Sequence, residues 1–405
     1  MKRVLLLNTD CERVVPLLGQ RAGVRLSVIT SRPYAHFYGP GTDVVAVDDI
    51  HDLTEVRMAA LEIRARNPFD HVVSPSEYSL QAGGYLRSYF GLDGPGYDVA
   101  NTFSNKHVMK RALRAAGIPV APFRQLTRLA EAGAAAEELG WPVVVKPVIG
   151  GGSEDVFVVR DGAGLRRLTA SPDSASLREA PFPLLAERFL DVEEEFHCDG
   201  IVCDGRVRFA PVSKYFAPVL SSVGRLVGSY TLPAGEPDAL RVAALHEQVV
   251  GALGLRDGVT HLEVLKAGGE LLVGEVAHRA GGGGIPELLR HQFGVDVFRT
   301  LVDLSVGDGF AGTPPPATDY LVQYMLPRPA GVVRSITPAA ELAALPGVEY
   351  VGIRERAGDV DHEQVHSATS AGIVLIRAAT EAQARERIGL VGRAYRIDVT
   401  PGLAA

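Results

Sequence analysis

Short apolar runs alternate with amphipathic stretches over the first hundred residues of the chain. The runs are rich in valine, isoleucine and leucine, which is typical of buried strands. They lie at residues 4–7, 24–29, 43–47 and 71–74, and stretches with helical spacing lie at 10–19 and 53–66. This alternation predicts a small parallel sheet with crossover helices. No G-x-G-x-x-G follows the first run, so a dinucleotide-binding fingerprint is missing from this unit.

The rest of the chain changes pattern twice. A Gly/Pro-rich loop at residues 91–96 and a proline-rich linker at 312–317 separate three stretches, which predicts domains at 1–95, 96–310 and 311–405. The middle stretch predicts mostly antiparallel strands, at residues 156–159, 184–190, 195–202, 205–209 and 211–215, with helices at 105–116 and 240–253. The last stretch predicts strands at 320–326 and 372–376 and a helix at 380–392, which together form a small α+β unit. The expected fold class is therefore α/β followed by α+β.

Two apolar runs in the middle stretch each carry one carboxylate. Glu263 lies in the first run and Glu275 at the end of the second, and a short Gly-containing turn at 266–270 joins them. Alternation along two paired strands aims both side chains from neighbouring strands at one face. Arg279 follows Glu275, and then comes a run of four glycines. Carboxylate oxygens suit Mg²⁺ and a guanidinium suits phosphate, although a hairpin with solvent-exposed acids is the simpler interpretation of these residues alone.

Composition narrows the class of protein. The chain has 405 residues, a net charge of −7 and 46% hydrophobic residues, as in ordinary globular enzymes. The negative charge argues against a nucleic acid or an anionic membrane as partner. Three cysteines with no CxxC pair indicate a reducing compartment, and no apolar run is long enough for a signal peptide or a membrane helix. We therefore expect a cytoplasmic protein.

Lysine is scarce, with only six among 41 basic residues, so each remaining lysine is a candidate for a specific role. Lys146 ends an apolar strand and precedes a loop that contains Gly151, Gly152 and Ser153. A lysine beside such a loop can reach a phosphate that the backbone N–H groups also contact. Lys106 lies at a predicted helix start, where the helix dipole disfavours a cation and a bound phosphate would favour it. The alternative for both is a solvent-exposed lysine.

An acidic bend follows the strand at 184–190. Glu187 and Glu195 flank it, and acidic side chains accept hydrogen bonds from ribose hydroxyls and exocyclic amines. The backbone of Phe189 and Leu190 could pair with an adenine edge. The histidines form no zinc pattern, and neither a G-x-S-x-G elbow nor a nucleophilic cysteine context occurs.

These motifs, in this order, resemble the ATP-grasp superfamily of carboxylate–amine ligases. The C-terminal stretch, with Leu-Pro-Arg-Pro-Ala-Gly at 326–331, further resembles the dipeptide-forming L-amino acid ligases. The resemblance implies a pre-ATP-grasp α/β domain, an ATP-grasp domain of two subdomains that clamp ATP, and a small C-terminal α+β extension. It also implies a reaction in which ATP phosphorylates a small carboxylate and an amine displaces the phosphate from the acyl phosphate.

The resemblance assigns roles to the candidate residues. The ATP phosphates would be bound by Lys106, Lys146 and the loop of Gly151, Gly152 and Ser153, and adenine by Glu187, Phe189 and Leu190. Ribose would be bound by Glu195, and Mg²⁺ or Mn²⁺ by Glu263 and Glu275. The transferred phosphoryl group would be bound by Arg279. Lys146 and Arg279 are thus the expected catalytic residues.

Two departures from the family pattern leave choices open. Ala277 occupies the position of the metal-binding Asn in the usual Glu-x-Asn-x-Arg motif, and the spacing after Glu187 also allows Glu194 to be the ribose ligand. A carrier-protein thiol could replace the amine acceptor, and a biotin carboxylase-like activity is another alternative. A nucleotide-binding regulator without turnover is the alternative of a different class. The sequence leaves the oligomeric state open, with a homodimer as one candidate.

Overall fold

The computed structural model describes residues 1–222, 227–361 and 370–400. The described strands are β1 (Lys2–Asn8), β2 (Val24–Ser31), β3 (Asp43–Val47), β4 (His71–Val73), β5 (Phe123–Leu126), β6 (Val143–Pro147), β7 (Phe157–Val159), β8 (Leu184–Arg188), β9 (Glu194–Cys203), β10 (Arg206–Phe209), β11 (Val212–Tyr215), β12 (Val227–Thr231), β13 (Gly258–Ala267), β14 (Glu270–Ala277), β15 (Tyr320–Leu326), β16 (Gly331–Ile336), β17 (Val348–Ile353), β18 (Val360–Asp361), β19 (Gly372–Ala378) and β20 (Ile397–Thr400).

The described helices are α1 (Val14–Gly19), α2 (Leu53–Arg66), α3 (Leu80–Phe90), α4 (Tyr97–Thr102), α5 (Lys106–Ala115), α6 (Ala132–Leu139), α7 (Gly162–Ala170), α8 (Ala175–Glu179), α9 (Val219–Ser222), α10 (Pro237–Leu253), α11 (Ile285–Phe293), α12 (Val297–Ser305), α13 (Ala339–Ala343) and α14 (Glu381–Ala394). Short 3₁₀ turns lie at Arg32–Phe37, Glu77–Ser79, Leu129–Glu131 and Pro172–Ser174. None of these helices combines the length and the apolar character needed to cross a membrane.

The N-terminal sheet has the predicted parallel form, with strand order β3-β2-β1-β4. Successive residues of β1 face opposite sides of this sheet. Leu5 and Leu7 pack in the core with α2 and α3, whereas Val4 and Leu6 pack in the core that includes α11 and α12. Because both faces are covered, β1 reads as a continuous apolar run rather than an alternating one.

The first predicted helix is shorter than expected, since α1 starts at Val14 and not at residue 10. A tight turn holds the intervening backbone, with the Val14 N–H donating to the Cys11 carbonyl. Pro16 accounts for the later start. In α1, Pro16 falls in the first turn, where N–H groups have no partner within the helix. In a helix that began at residue 10, Pro16 would lie in the interior, where its missing N–H would leave a helix hydrogen bond unmade.

Two antiparallel sheets form the middle of the molecule. The smaller has the order β5-β8-β6-β7, and the larger runs β14-β13-β9-β11-β12-β15-β19-β17, with β10 also paired to β9. The larger sheet continues into the C-terminal stretch because Tyr230 of β12 pairs with Val322 of β15. The C-terminal stretch adds a separate three-stranded sheet, β18-β16-β20. The domain limits at 95 and 310 stay a prediction, and the sheet hydrogen bonds cross the second of them.

Candidate active site

A cavity of about 740 Å³ lies between the small sheet, the β13–β14 hairpin and the start of α5. Apart from Glu194, the alternative ribose ligand, it brings together the candidate residues of the sequence analysis, namely Lys106, Lys146, Gly151, Gly152, Ser153, Glu187, Phe189, Leu190, Glu195, Glu263, Glu275 and Arg279. These residues come from segments up to 173 positions apart along the numbering, between Lys106 and Arg279. The volume of the cavity lies in the usual range for small-molecule sites.

The hairpin presents its two carboxylates side by side. Glu263 and Glu275 are direct partners in the antiparallel register of β13 and β14, so both side chains lie on one face. A bulge follows at once, because Val264 pairs with Val273 and leaves Gly274 unpaired. Two like charges opposite each other are unfavourable, and nearby cations compensate them. Lys106 Nζ lies 2.9 Å from Glu275 Oε1, and His261 Nε2 lies 3.6 Å from Glu263 Oε1.

Lys106 is the first residue of α5, as expected. The Asn105 side chain caps this helix by accepting from the N–H groups of His107 and Val108. The Lys106 ammonium has two protein partners, since besides its contact with Glu275 it donates to the Gly150 carbonyl. A phosphate is therefore not needed to account for a cation at this helix start, although the ammonium still lines the cavity.

Lys146 belongs to a buried triad that the sequence did not reveal. Its Nζ lies 3.2 Å from Glu187 Oε2, while Lys110 Nζ lies 3.1 Å from Glu187 Oε1. Burial alone would raise the pKa of Glu187, but the two lysines hold it below its ordinary value. Burial lowers the pKa of Lys110. The only sequence signal for Lys110 was the scarcity of lysine itself.

The glycine-rich loop after β6 uses backbone conformations that suit glycine. Gly152 has φ of +66° and Ser153 of +59°, in the left-handed region. A Cβ on Gly151 would lie 3.3 Å from an Arg279 guanidinium nitrogen, so the loop lies directly on this arginine. The loop thus lines the cavity together with Lys146 and lies against Arg279.

The end of β8 leaves two carbonyls without a strand partner. The N–H groups of Arg188 and Phe189 donate to the carbonyls of Pro122 and Pro142, at 2.9 and 3.0 Å. A proline has no N–H to return, so the reciprocal bonds to the Arg188 and Phe189 carbonyls are missing. This modifies the sequence expectation, because the Phe189 N–H is occupied. The Phe189 carbonyl, the Arg188 carbonyl and the Leu190 backbone have no hydrogen-bond partner within the described parts of the chain and form an open edge.

Of the two candidate ribose ligands, Glu195 lines the cavity. Burial and the nearby Glu263 charge raise the pKa of Glu195 to about 8, and its Oε2 accepts from the Val219 N–H at 2.7 Å. Glu194 points to the other side of β9, where it pairs with Lys214 and, at 2.7 Å, with Lys266. Because successive side chains of β9 point to opposite faces, only Glu195 of these two glutamates reaches the cavity.

Arg279 forms an ion pair with Glu77, a residue of the 3₁₀ turn just after β4 of the N-terminal sheet, to which the sequence analysis assigned no role. Arg279 Nε donates to Glu77 Oε2 at 2.7 Å, and another guanidinium nitrogen donates to the Ala280 carbonyl at 2.9 Å. Glu77 is only 7% exposed. Burial raises its pKa even though Arg279 opposes this shift. The N-terminal sheet thus contributes directly to the site.

The comparisons with known proteins agree with this geometry. A family model described as the ATP-grasp domain matches residues 111–288, and one described as the L-amino acid ligase C-terminal domain 2 matches residues 323–399. A relative from Bacillus subtilis, the L-arginine-specific L-amino acid ligase, is 33% identical over 407 aligned residues, which cover 99% of this chain and 98% of the relative. The chain belongs to the L-amino acid ligases of the ATP-grasp superfamily. It is an ATP-dependent carboxylate–amine ligase that acts on amino acids.

Two further matches extend the assignment. The alanine–anticapsin ligase of Bacillus subtilis is 25% identical over 307 residues, covering 69% of this ligase and 64% of that protein. The crystal structure of an L-amino acid ligase from Bacillus licheniformis superposes with a TM-score of 0.76 at 18% identity, covering 99% of both chains. At that identity the second match concerns the fold alone. The predicted fold class and the predicted ATP-dependent ligase activity are confirmed.

Behind Glu263, the ligase has a polar network that the sequence analysis missed. Asp199 accepts from His261 at 2.8 Å and from His197 at 2.7 Å, and His197 contacts Ser229 at 2.8 Å. Burial of His261 would lower its pKa, but Asp199 and Glu263 raise it to about 10. The two histidines and Asp199 are close enough to hold a metal ion, yet these hydrogen bonds already pair them. The sequence did contain one signal for this network, a spacing of two residues within a strand. That spacing places residues 197 and 199 on one face of their strand, and residues 261 and 263 on one face of theirs.

Proposed function

We propose that this L-amino acid ligase joins the carboxylate of one amino acid to the amine of another, with L-arginine as one of the two substrates. The observation that carries the proposal is a cavity lined by phosphate-type cations, by two paired carboxylates and by Arg279, which Glu77 holds from behind the lining. The L-arginine specificity in the name of the Bacillus subtilis relative supports L-arginine as the first amino acid to test.

In the proposed site, ATP lies between the small sheet and the hairpin. Lys106, Lys146 and the loop of Gly151, Gly152 and Ser153 would contact its phosphates, since ammonium groups and backbone N–H groups both suit phosphate oxygens. Glu187, the Arg188 and Phe189 carbonyls and the Leu190 N–H offer acceptors and a donor for adenine. Glu195 would accept from the ribose hydroxyls. Glu187 holds Lys146 in place through their ion pair.

Glu263 and Glu275 would hold Mg²⁺, or Mn²⁺ in its place. They fit a hard cation because their carboxylates lie on one face, line the cavity and leave their side chains 32% and 22% exposed. Ala277 offers no ligand, so the two glutamates would carry more of the metal than in a site that also has an Asn. The ion would neutralise charge during phosphoryl transfer.

The protein's own residues supply the remaining chemistry. The Arg279 guanidinium, held by Glu77, would stabilise negative charge on the transferred phosphoryl group and on the acyl phosphate. The glycine loop against Arg279 would exclude water, which otherwise hydrolyses an acyl phosphate. The amine then attacks the activated carbonyl and phosphate leaves.

The proposal is tested by incubating the protein with ATP, Mg²⁺ and L-arginine together with each of the other amino acids in turn. ADP and phosphate release are measured, and products are identified by mass spectrometry. A dipeptide that contains arginine, formed in equal amount to ADP, is the expected result. Absence of amine-dependent ADP formation with every amino acid pair would refute the amino-acid ligase activity, and dipeptides without arginine would refute only the choice of substrate.

Replacing Lys146 by alanine should raise the KM for ATP by about tenfold and lower kcat by about 10²-fold, because a phosphate loses its ammonium contact. Steady-state kinetics against ATP measure both. Lys266→Ala is the matched control, since Lys266 also pairs with a glutamate but lies outside the cavity lining. ATP kinetics near the wild-type values for Lys146→Ala would remove this lysine from the site.

Replacing Ala277 by asparagine should lower the Mg²⁺ concentration for half-maximal activity by about threefold or more, because an amide oxygen adds a ligand. Ala277 lines the cavity directly across the strands from His261. A metal titration measures the effect. Val276→Asn is the contrasting control, because Val276 faces the core and an amide there should lower the melting temperature instead. Unfolding of Ala277→Asn would contradict the proposed strand register.

A further inference from the structure

One polar residue of the cavity wall remains unexplained by the nucleotide, the metal or Arg279. Gln323 lies on β15, in the C-terminal part of the large sheet, and is 2% exposed. It lines the cavity together with Met325 of the same strand and with Gly282, Gly283 and Ile285, which follow Arg279. A residue of the C-terminal stretch thus reaches the end of the cavity next to the reacting centre.

The Gln323 carboxamide is not satisfied by the described part of the protein. Its Oε1 is buried and has no hydrogen-bond partner among the described residues. Buried polar atoms are nearly always paired, so an unpaired amide in a cavity wall indicates a ligand that pairs with it.

Gly283 and Gly284 lie directly opposite Gln323. A Cβ on Gly284 would lie 2.8 Å from Gln323 Cγ. A Cβ on Gly283 would lie 2.9 Å from Met325 Sδ and 3.5 Å from Gln323 Nε2. Side chains at these two positions would therefore fill the space that the carboxamide faces. Met325, Ile285 and the glycines around it carry no charge, so recognition here depends on hydrogen bonds rather than on an ion pair.

We propose that Gln323 is a specificity-determining residue, whose carboxamide accepts a hydrogen bond from an N–H group in the side chain of one amino-acid substrate. The chemical class is a long side chain that ends in a guanidinium, ureido or amide group. This inference rests on the proposed function and adds the group that selects the substrate. A site built to pair with an N–H donor discriminates strongly against an analogue that lacks it, because the site's own polar group is then left unpaired.

The test compares L-arginine and L-citrulline with L-norleucine, whose unbranched aliphatic side chain is shorter and has no N–H group. Binding to the full-length protein with ADP and Mg²⁺ is measured by calorimetry, and kcat/KM by ADP formation. We expect the wild type to favour arginine and citrulline over norleucine by about 10²-fold. Gln323→Met, which keeps the length but removes the amide, should reduce this ratio to about threefold or less while the KM for ATP is unchanged.

Gln292→Met is the matched control, because Gln292 also has a buried Oε1 with no partner among the described residues but lies outside the cavity lining. The preference of Gln292→Met for arginine and citrulline over norleucine should equal that of the wild type. An unchanged ratio in Gln323→Met, or equal losses for all three compounds, would overturn the inference, and so would wild-type binding that does not distinguish norleucine. Should Gln323→Met fail to fold, Gln323→Glu is tested in its place and must favour arginine over citrulline. An arginine-to-citrulline preference equal to that of the wild type would overturn the inference. Selective binding without any ADP formation would refute the proposed function but support the role of Gln323.

Discussion

Replacing Arg279 by alanine is expected to lower kcat for amino-acid-dependent ADP formation by about 10³-fold or more, the largest effect of any single change in this site. Arginine presents a planar, permanently charged fork to phosphoryl oxygens, and no neighbouring side chain can replace it. Its Nε is held by Glu77 at 2.7 Å and the glycine loop covers it. The guanidinium is therefore positioned before any substrate binds, so little reorganisation is needed during transfer.

Two further variants separate the charge of Arg279 from its position. Arg279→Lys keeps the charge but loses the fork, and should recover only part of the rate. Glu77→Gln keeps Arg279 but weakens its anchor, so kcat should fall while the KM for ATP stays near the wild-type value. Single-turnover kinetics and the melting temperature are measured for each. A kcat within about threefold of the wild type for Arg279→Ala would exclude it from phosphoryl transfer.

Replacing Glu275 by glutamine should raise the Mg²⁺ concentration for half-maximal activity by about 10²-fold, because a neutral amide is a poor substitute for a carboxylate ligand. The change is isosteric, so folding should be kept. It also removes the ion-pair partner of Lys106 at 2.9 Å, which adds to the loss of activity. Activity is titrated with Mg²⁺ and separately with Mn²⁺, and direct metal binding is followed with Mn²⁺ by electron paramagnetic resonance.

Glu270→Gln is the matched control for Glu275→Gln, since Glu270 begins the same strand but is exposed at the hairpin turn. Its metal titration should match that of the wild type. A titration of Glu275→Gln that overlays the wild type would contradict metal binding by this residue. A rise of the same size in both variants would mean a non-specific effect of net charge.

Three lysines in and behind the cavity wall are paired with two glutamates without any ligand. Lys106 pairs with Glu275, while Lys110 and Lys146 pair with Glu187. Unpaired buried charges would be costly, so this pairing reduces the cost of burying these groups in the empty cavity. In the proposed site the phosphates and the metal would compete for the same groups, and Lys106 and Glu275 would exchange partners on binding.

Local patterns were sufficient to predict much of the fold. The parallel N-terminal sheet, α2 and the β13–β14 hairpin were predicted from runs of apolar residues and from turn residues. That Glu263 and Glu275 share one face follows from the period of two in a strand, and the register confirms it. The start of α1 was wrong because the apolar spacing did not account for the position of Pro16.

Other features depend on contacts between distant segments. The pairing of β12 with β15 joins the C-terminal stretch to the large sheet, although the proline-rich linker before it reads as a boundary. Lys110, Glu77 and Asp199 have ordinary sequence surroundings, and only their buried partners distinguish them. The hydrophobic periodicity of a sequence does not reveal such partners. It indicates which face of a helix or strand a residue occupies, but not which residue of another segment packs against that face.

The sequence by itself determined the family, the reaction class and the set of residues with nucleotide-type chemistry, since these depend on residue types in a fixed order and on local alternation. The tertiary structure decided which of Glu194 and Glu195 enters the cavity, which atoms of the Phe189 backbone are free, and that Glu77 holds Arg279. It also placed Gln323 in the cavity wall. The physical reason is that hydrogen bonding and burial are properties of pairs of groups in space, and the pairs here are separated by up to 202 residues, as for Glu77 and Arg279.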